Sequence, residues 1–79
     1  MLNNLQYEKL KPFKNIIIKV GEGRGNTSNQ SIKFLCNEVW VELKHPPKCL
    51  YCSNEVFELF QNIKDEINFY EEKYGKGED

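Results

Sequence analysis

Hydrophobic residues concentrate in three runs of the chain, and glycine or proline separates these runs. The first run, residues 13–20, contains three consecutive isoleucines and ends at Gly21, which is typical of a strand buried on both faces. The second run, residues 32–43, alternates between apolar and mixed positions around Val39 and Val41, as a half-buried strand does. These two runs predict the strands of a small antiparallel sheet.

The second run is compatible with one long strand or with two short ones. A tight turn at Asn37 and Glu38 would divide residues 32–43 and give a sheet of three strands, whereas an unbroken run gives two. We favour the divided run, because short strands make the more compact sheet.

The third run, residues 53–74, predicts a long helix that Ser53 would cap at its start and Gly75 at its end. Its apolar positions follow steps of four and three residues, which is a heptad pattern. They are Val56, Phe60, Ile63, Ile67, Tyr70 and Tyr74. Such a helix is about 33 Å long at ~1.5 Å per residue, so its second half is expected to extend beyond the sheet.

Together these elements predict one α+β domain over residues 1–79. A small two- or three-stranded antiparallel sheet would pack on one long C-terminal helix, with residues 2–11 as a short helix or arm and 75–79 as a frayed tail. A chain of this size buries a small core. A staple such as bound zinc would therefore add stability.

The candidate chemistry lies between the second run and the helix, in residues 45–53, His-Pro-Pro-Lys-Cys-Leu-Tyr-Cys-Ser. Thiolate and imidazole are preferred ligands of zinc. The spacing of Cys49 and Cys52 lets both thiolates reach one ion, with His45 as the third ligand and Cys36 as the fourth. Zinc would then clamp the sheet to the start of the helix.

The fourth ligand is the difficulty of this zinc site. In an extended strand, Cys36 and His45 would lie about 25–30 Å apart at ~3.3 Å per residue. The chain would have to bend near Asn37, or the proline loop would have to fold back. Alternatively, two chains could each give Cys49 and Cys52 to a shared site of four thiolates.

Two other interpretations of the cysteines stay open. Residues 49–52, Cys-Leu-Tyr-Cys, resemble a glutaredoxin active site in the tyrosine and in the position before a helix, where the dipole lowers a thiol pKa. The resemblance implies thiol–disulfide exchange, but no sheet follows the helix and no later cis-proline loop is present. In the other interpretation, the three cysteines are small buried hydrophobic residues and His45 is an ordinary loop residue.

Charge is separated along the chain, although the net charge is −1. Residues 1–52 hold eight basic and four acidic side chains, whereas residues 53–79 hold three basic and eight acidic ones. An acidic helix with aromatic anchors suits a basic protein partner. The scattered basic residues make a nucleic-acid-binding zinc module the alternative. The candidate partner-binding residues are Glu66, Phe69, Tyr70, Glu71, Glu72 and Tyr74.

Several classes of protein do not fit the sequence. The N-terminus lacks the apolar run of a signal peptide, and no segment approaches the ~18 apolar residues of a membrane span. We therefore expect a cytoplasmic protein with reduced thiols and no membrane partner. No paired carboxylates in a cleft and no second histidine support catalysis, which predicts a non-enzymatic function. A homodimer would form through the long helix or through a shared zinc.

The small size, the composition rich in Asn, Lys and Ile, and the cluster of Cys36, His45, Cys49 and Cys52 carry one family resemblance. The chain resembles the small zinc-containing anti-CRISPR inhibitors of Cas9 that phages encode. This resemblance implies an inhibitor in the bacterial host cytoplasm that binds a large, basic nucleic-acid enzyme, Cas9 being the best example, and does no chemistry itself. It transfers no individual binding residue.

Overall fold

A computed structural model describes residues 2–25 and 29–75 of the chain. The described residues form α-helices and one short 3-10 helix, and none of them lies in a β-strand. The elements are α1 (Asn4–Leu10), the 3-10 helix (Lys11–Phe13), α2 (Lys14–Gly21), α3 (Gln30–Glu42) and α4 (Ser53–Tyr74). The predicted α+β fold with a two- or three-stranded antiparallel sheet is therefore wrong, because the described part of the chain is all-α.

The run over residues 13–20 was predicted to be a strand, but Phe13 ends the 3-10 helix and the three isoleucines lie in α2. Ile17, Val20 and Gly21 are buried, whereas Ile16 is 42% exposed. Buried positions three and four residues apart are the signature of a helix, while a strand buries every second residue. The preference of β-branched residues for strands depends on packing, and here the helical packing outweighs it.

Helix α3 takes the place of the strands that were predicted over residues 32–43. Ile32, Cys36 and Val39 are buried at helical spacing, and Val41 is exposed although the alternating pattern put it on the face of Val39. The predicted turn at residues 37–38 lies in the middle of this helix. Asn29 begins the helix, since its Oδ1 accepts a hydrogen bond from the Ile32 N–H at 3.3 Å.

Helix α4 spans the residues that were predicted for the long helix, and its apolar stripe supplies much of the core. The fully buried members of this stripe are Leu59, Phe60, Ile63 and Ile67. Cys52, not Ser53, is the N-cap residue, and its side chain makes no capping hydrogen bond. Gly75, with a φ of 83°, ends the helix. Residues 76–79 of the predicted frayed tail lie outside the described residues.

Helix α2 approaches α4 closely at Gly21. A Cβ atom at this position would lie 3.1 Å from the carbonyl oxygen of Phe60 and 3.3 Å from the Cα atom of Gln61. Both are backbone atoms of α4, so they have no side-chain rotation with which to make room. The absence of a side chain at Gly21 thus sets the distance between the two helices.

Polar and aromatic side chains hold α1 on the last turns of α4. The Tyr7 hydroxyl donates to Oε2 of Glu71 at 2.7 Å, and the Lys14 ammonium forms an ion pair with the same oxygen. The Tyr70 hydroxyl donates to Oδ1 of Asn4 at 2.6 Å. The rings of Tyr7 and Tyr70 stack with their centroids 4.2 Å apart. These contacts give Tyr70 and Glu71 a structural role inside the fold.

The close approach at Gly21 predicts that a side chain there lowers stability. We expect Gly21→Val to reduce the free energy of unfolding by about 1–3 kcal/mol, because the added atoms overpack a backbone contact. Asn15→Val introduces the same side chain at an exposed site of the same helix and controls for helix propensity. Urea unfolding followed by circular dichroism measures both variants. Equal losses of stability in the two variants would contradict this role of Gly21.

The hydrogen bond from Tyr7 to Glu71 predicts a second stability difference. Tyr7→Phe removes a buried hydroxyl that donates to a carboxylate, so we expect a loss of about 1.5–3 kcal/mol. Tyr74→Phe makes the same chemical change on a ring that is 60% exposed. Thermal unfolding of the two variants makes the comparison. If Tyr7→Phe loses no more stability than Tyr74→Phe, the hydrogen bond from Tyr7 to Glu71 contributes nothing to the stability of the fold.

Candidate functional site

The loop between α3 and α4, residues 43–52, carries the two cysteines of the C-x-x-C sequence. Oδ1 of Asn37 in α3 accepts the backbone N–H of Lys48 at 3.0 Å. The backbone N–H of Cys49 donates to Oε1 of Glu55 in α4 at 2.8 Å. These hydrogen bonds tie the loop to the helix on either side of it, so the position of the cysteines is set by the fold.

Cys49 and Cys52 lie side by side at the surface. Their Sγ atoms are 3.0 Å apart, and the Cys52 thiol donates a hydrogen bond to the Cys49 sulfur. The backbone N–H of Cys52 also reaches the carbonyl oxygen of Cys49, at 3.4 Å, which closes the turn. Cys52 is exposed and Cys49 is partly buried. Both sulfurs can therefore act on the same metal ion or the same electrophile.

The hydrogen bonds make the two thiols unequal. The thiol of Cys52 and the backbone N–H of Tyr51 donate to the Cys49 sulfur and lower the pKa of Cys49, whereas desolvation and the Glu55 carboxylate oppose this shift. Donation of the same hydrogen bond raises the pKa of Cys52, and desolvation adds to that increase. Of the two thiols, Cys49 is consequently the one that ionises at the lower pH.

Cys36 lies apart from this pair, in the hydrophobic core between α3 and α4. Its side chain is fully buried among the apolar residues of the core. Burial raises the pKa of the Cys36 thiol to about 12, so the group stays protonated at neutral pH. The helix therefore directs Cys36 into the core, where it fills space as a small hydrophobic residue.

His45 packs on α3 rather than on the cysteines. Its imidazole stacks on the Trp40 indole with the ring centroids 3.8 Å apart and the planes 11° from parallel. In the part of the chain that the structure describes, no three His, Cys, Asp or Glu side chains come together to hold a metal. The structure thus brings together Cys49 and Cys52 of the four predicted ligands. Zinc stays a prediction for which one chain supplies two ligands.

The glutaredoxin-like interpretation keeps its local geometry. Cys49 has the lower pKa, and α4 begins directly after Cys52. The fold that this resemblance implies is absent, since residues 2–25 and 29–75 contain no strand. The pair therefore has the chemistry of a dithiol without the sheet on which that family builds its substrate site.

The predicted partner-binding residues divide into two groups. Tyr70 and Glu71 belong to the contact between α1 and α4, whereas Phe69 is 58% exposed on the opposite side of the helix. A groove of about 570 Å³ on that side is lined by Glu66, Phe69, Glu72 and Lys73. Tyr74 borders a different groove, which the N-terminal residues also line.

Sequence reasoning missed Lys73 as a member of this surface. Positions 66, 69 and 73 are spaced by three and four residues, so they share one side of a helix. Tyr70 lies four residues after Glu66 and three before Lys73, yet it is only 7% exposed and belongs to the buried stripe. Helical spacing alone therefore does not separate the two groups, and the burial of each side chain in the folded chain does.

Comparisons of the chain with protein-family models, with curated proteins and with solved structures give no match. Among the described residues, no helix has both the length and the apolar character that crossing a membrane requires.

The surroundings of the three thiols predict distinct reactivities. Under native conditions iodoacetamide should alkylate Cys49 first and Cys52 next, with Cys36 slower by about 100-fold or more because it reacts only after local opening. Since its pKa is lowered, Cys49 should reach half of its maximal rate at a lower pH than Cys52. Peptide mass spectrometry at a series of pH values measures each rate.

Denatured protein is the control, because all three thiols should then react at similar rates. Native Cys36 reacting as fast as Cys52 would contradict the burial of Cys36.

Proposed function

We propose that this protein is a non-enzymatic protein-binding domain and that the outer face of the second half of α4 is its binding surface. The observation that carries the proposal is the exposure of Phe69 in a groove bordered by Glu66, Glu72 and Lys73. A large aromatic side chain that is exposed in a groove with charged residues at its border can serve as an anchor for a partner.

The charge around Phe69 indicates the chemistry of the partner. Glu72 is exposed, and Asp65 is exposed in an ion pair with Lys64 at 4.0 Å, whereas the Glu71 carboxylate is engaged by Tyr7 and Lys14 inside the fold. The exposed carboxylate of Glu72 favours a partner with a basic surface. Charge complementarity of this kind raises the association rate and makes binding sensitive to salt.

A basic surface is typical of enzymes that handle nucleic acids, since these surfaces hold the phosphate backbone. Binding there would block access of the nucleic acid without any chemistry by this chain. The resemblance to anti-CRISPR inhibitors gives Cas9 as one such target, and we propose this class of partner rather than one enzyme.

The proposal predicts that Phe69 and Glu72 govern one protein complex. The tagged chain is used to retain proteins from a bacterial lysate, and the affinity for each purified candidate is then measured. We expect Phe69→Ala to weaken binding by about 30-fold, as loss of an anchor does. Glu72→Lys should slow association with the partner and make the association rate less sensitive to salt.

Phe34→Ala and Glu38→Lys are the matched controls, because they make the same changes on exposed positions of α3. These control variants should bind within about threefold of the parent chain, as substitutions outside an interface do. Equal losses in both sets would contradict the surface on α4. Retention of nucleic acid alone would favour the nucleic-acid-binding alternative instead.

A further inference from the structure

We infer that Cys49 and Cys52 form half of a zinc site and that a second copy of this chain completes it with the same two residues. The two sulfurs lie 3.0 Å apart on an exposed turn. Zinc in structural sites takes four ligands in a tetrahedron. In the described residues of one chain, no third His, Cys, Asp or Glu side chain joins this pair in a group that could hold a metal ion.

The spacing of the sulfurs is close to what zinc needs. Zinc–sulfur bonds of ~2.3 Å at tetrahedral angles put two sulfurs about 3.8 Å apart, so the pair must open by less than 1 Å. Cys52 is exposed, and its side chain makes no capping hydrogen bond to α4. Rotation of this side chain therefore breaks one thiol–thiol hydrogen bond, and the metal bonds replace it.

The charges near the pair favour a cation. Both thiols must lose their protons when they bind zinc, and the metal then holds the two thiolates that result. Glu55 holds the backbone of Cys49 and adds a negative charge beside both sulfurs. Without a metal, two thiolates and the Glu55 carboxylate would repel one another. A divalent cation between the sulfurs attracts all three charges and makes the doubly ionised pair favourable.

The surface around the pair suits a second copy. Tyr51, between the two cysteines, is 90% exposed. Beside it lies a groove of about 300 Å³ whose apolar lining includes Val20, Leu50, Val56 and Phe57. A two-fold axis through the zinc places the same loop of each chain against the other. This arrangement buries Tyr51 and completes the tetrahedron with ligands that the chain itself carries.

The zinc site and the Phe69 surface lie at different ends of α4. Seventeen residues separate Cys52 from Phe69, which is about 25 Å along a helix. The inference therefore does not rest on the proposed function, and a dimer joined at the cysteine loops leaves both Phe69 surfaces open.

The stoichiometry of zinc binding tests the inference. The reduced full-length chain is titrated with zinc chloride alone, and native mass spectrometry and analytical ultracentrifugation follow its mass. We expect a dimer that holds one zinc per two chains and that returns to the monomer when a chelator is added. Because each substitution removes a zinc ligand, Cys49→Ser and Cys52→Ser should each weaken zinc binding by about 100-fold or more and abolish the dimer.

His45→Gln is the matched control, because His45 belongs to the same loop and is a zinc ligand by type but stacks on Trp40. This variant should keep the stoichiometry and the dimer.

Three outcomes would overturn the inference. One zinc per monomer that is lost in His45→Gln would show that a single chain assembles the site. One zinc per monomer that survives this substitution would show that water or buffer completes the coordination. No zinc binding, with Cys49 and Cys52 instead joining in a disulfide when oxidised glutathione is added, would establish a redox pair. None of these results alters the Phe69 surface, so the two proposals fail independently.

Discussion

The packing of short helices on the apolar stripe of α4 is the constraint on which the rest of the structure depends. Helices of seven and eight residues, such as α1 and α2, are too short to persist in water by themselves. They gain stability from the buried side chains of α4, with Phe60, Ile63 and Ile67 at the centre. The glycine at position 21 matters for the same reason, since it lets the backbones come close enough for this burial.

The length of each segment explains which elements could be predicted from the sequence. The stripe of α4 runs from Val56 to Tyr74 in a helix of 22 residues, and a periodicity that long fits only a helix. Residues 16–18 are all isoleucine and satisfy a strand and a helix equally. Around Val39 the alternating and the helical patterns overlap, and burial in the folded chain decides between them. The sequence did contain signals for the starts of α1 and α3. Asn3 and Gln6 form a capping box at α1, and Asn29 caps α3.

The candidate site was predictable only where it is local. The C-x-x-C spacing brings Cys49 and Cys52 together whatever the rest of the fold is, because one turn joins them. The position of Cys36 depends on the whole fold. The incorrect fold prediction allowed Cys36 to be a ligand at the site, whereas the structure buries it in the core. Tyr70 shows the same dependence, because Tyr74 follows the same heptad pattern and is exposed, and only the folded chain shows that Tyr70 is buried against α1.

Local contacts of the loop hold the thiol pair, whereas tertiary contacts between helices hold the core. A chemical change at the two sulfurs therefore leaves the core contacts in place. Cys52 makes no capping bond, and the loop is held by the contacts of Asn37 with Lys48 and of Glu55 with Cys49, which engage backbone N–H groups rather than the sulfurs. Metal binding or oxidation can therefore change the sulfurs while the helices stay packed. A buried thiol such as Cys36 lacks this freedom, because any change at its sulfur disturbs the packing around α4.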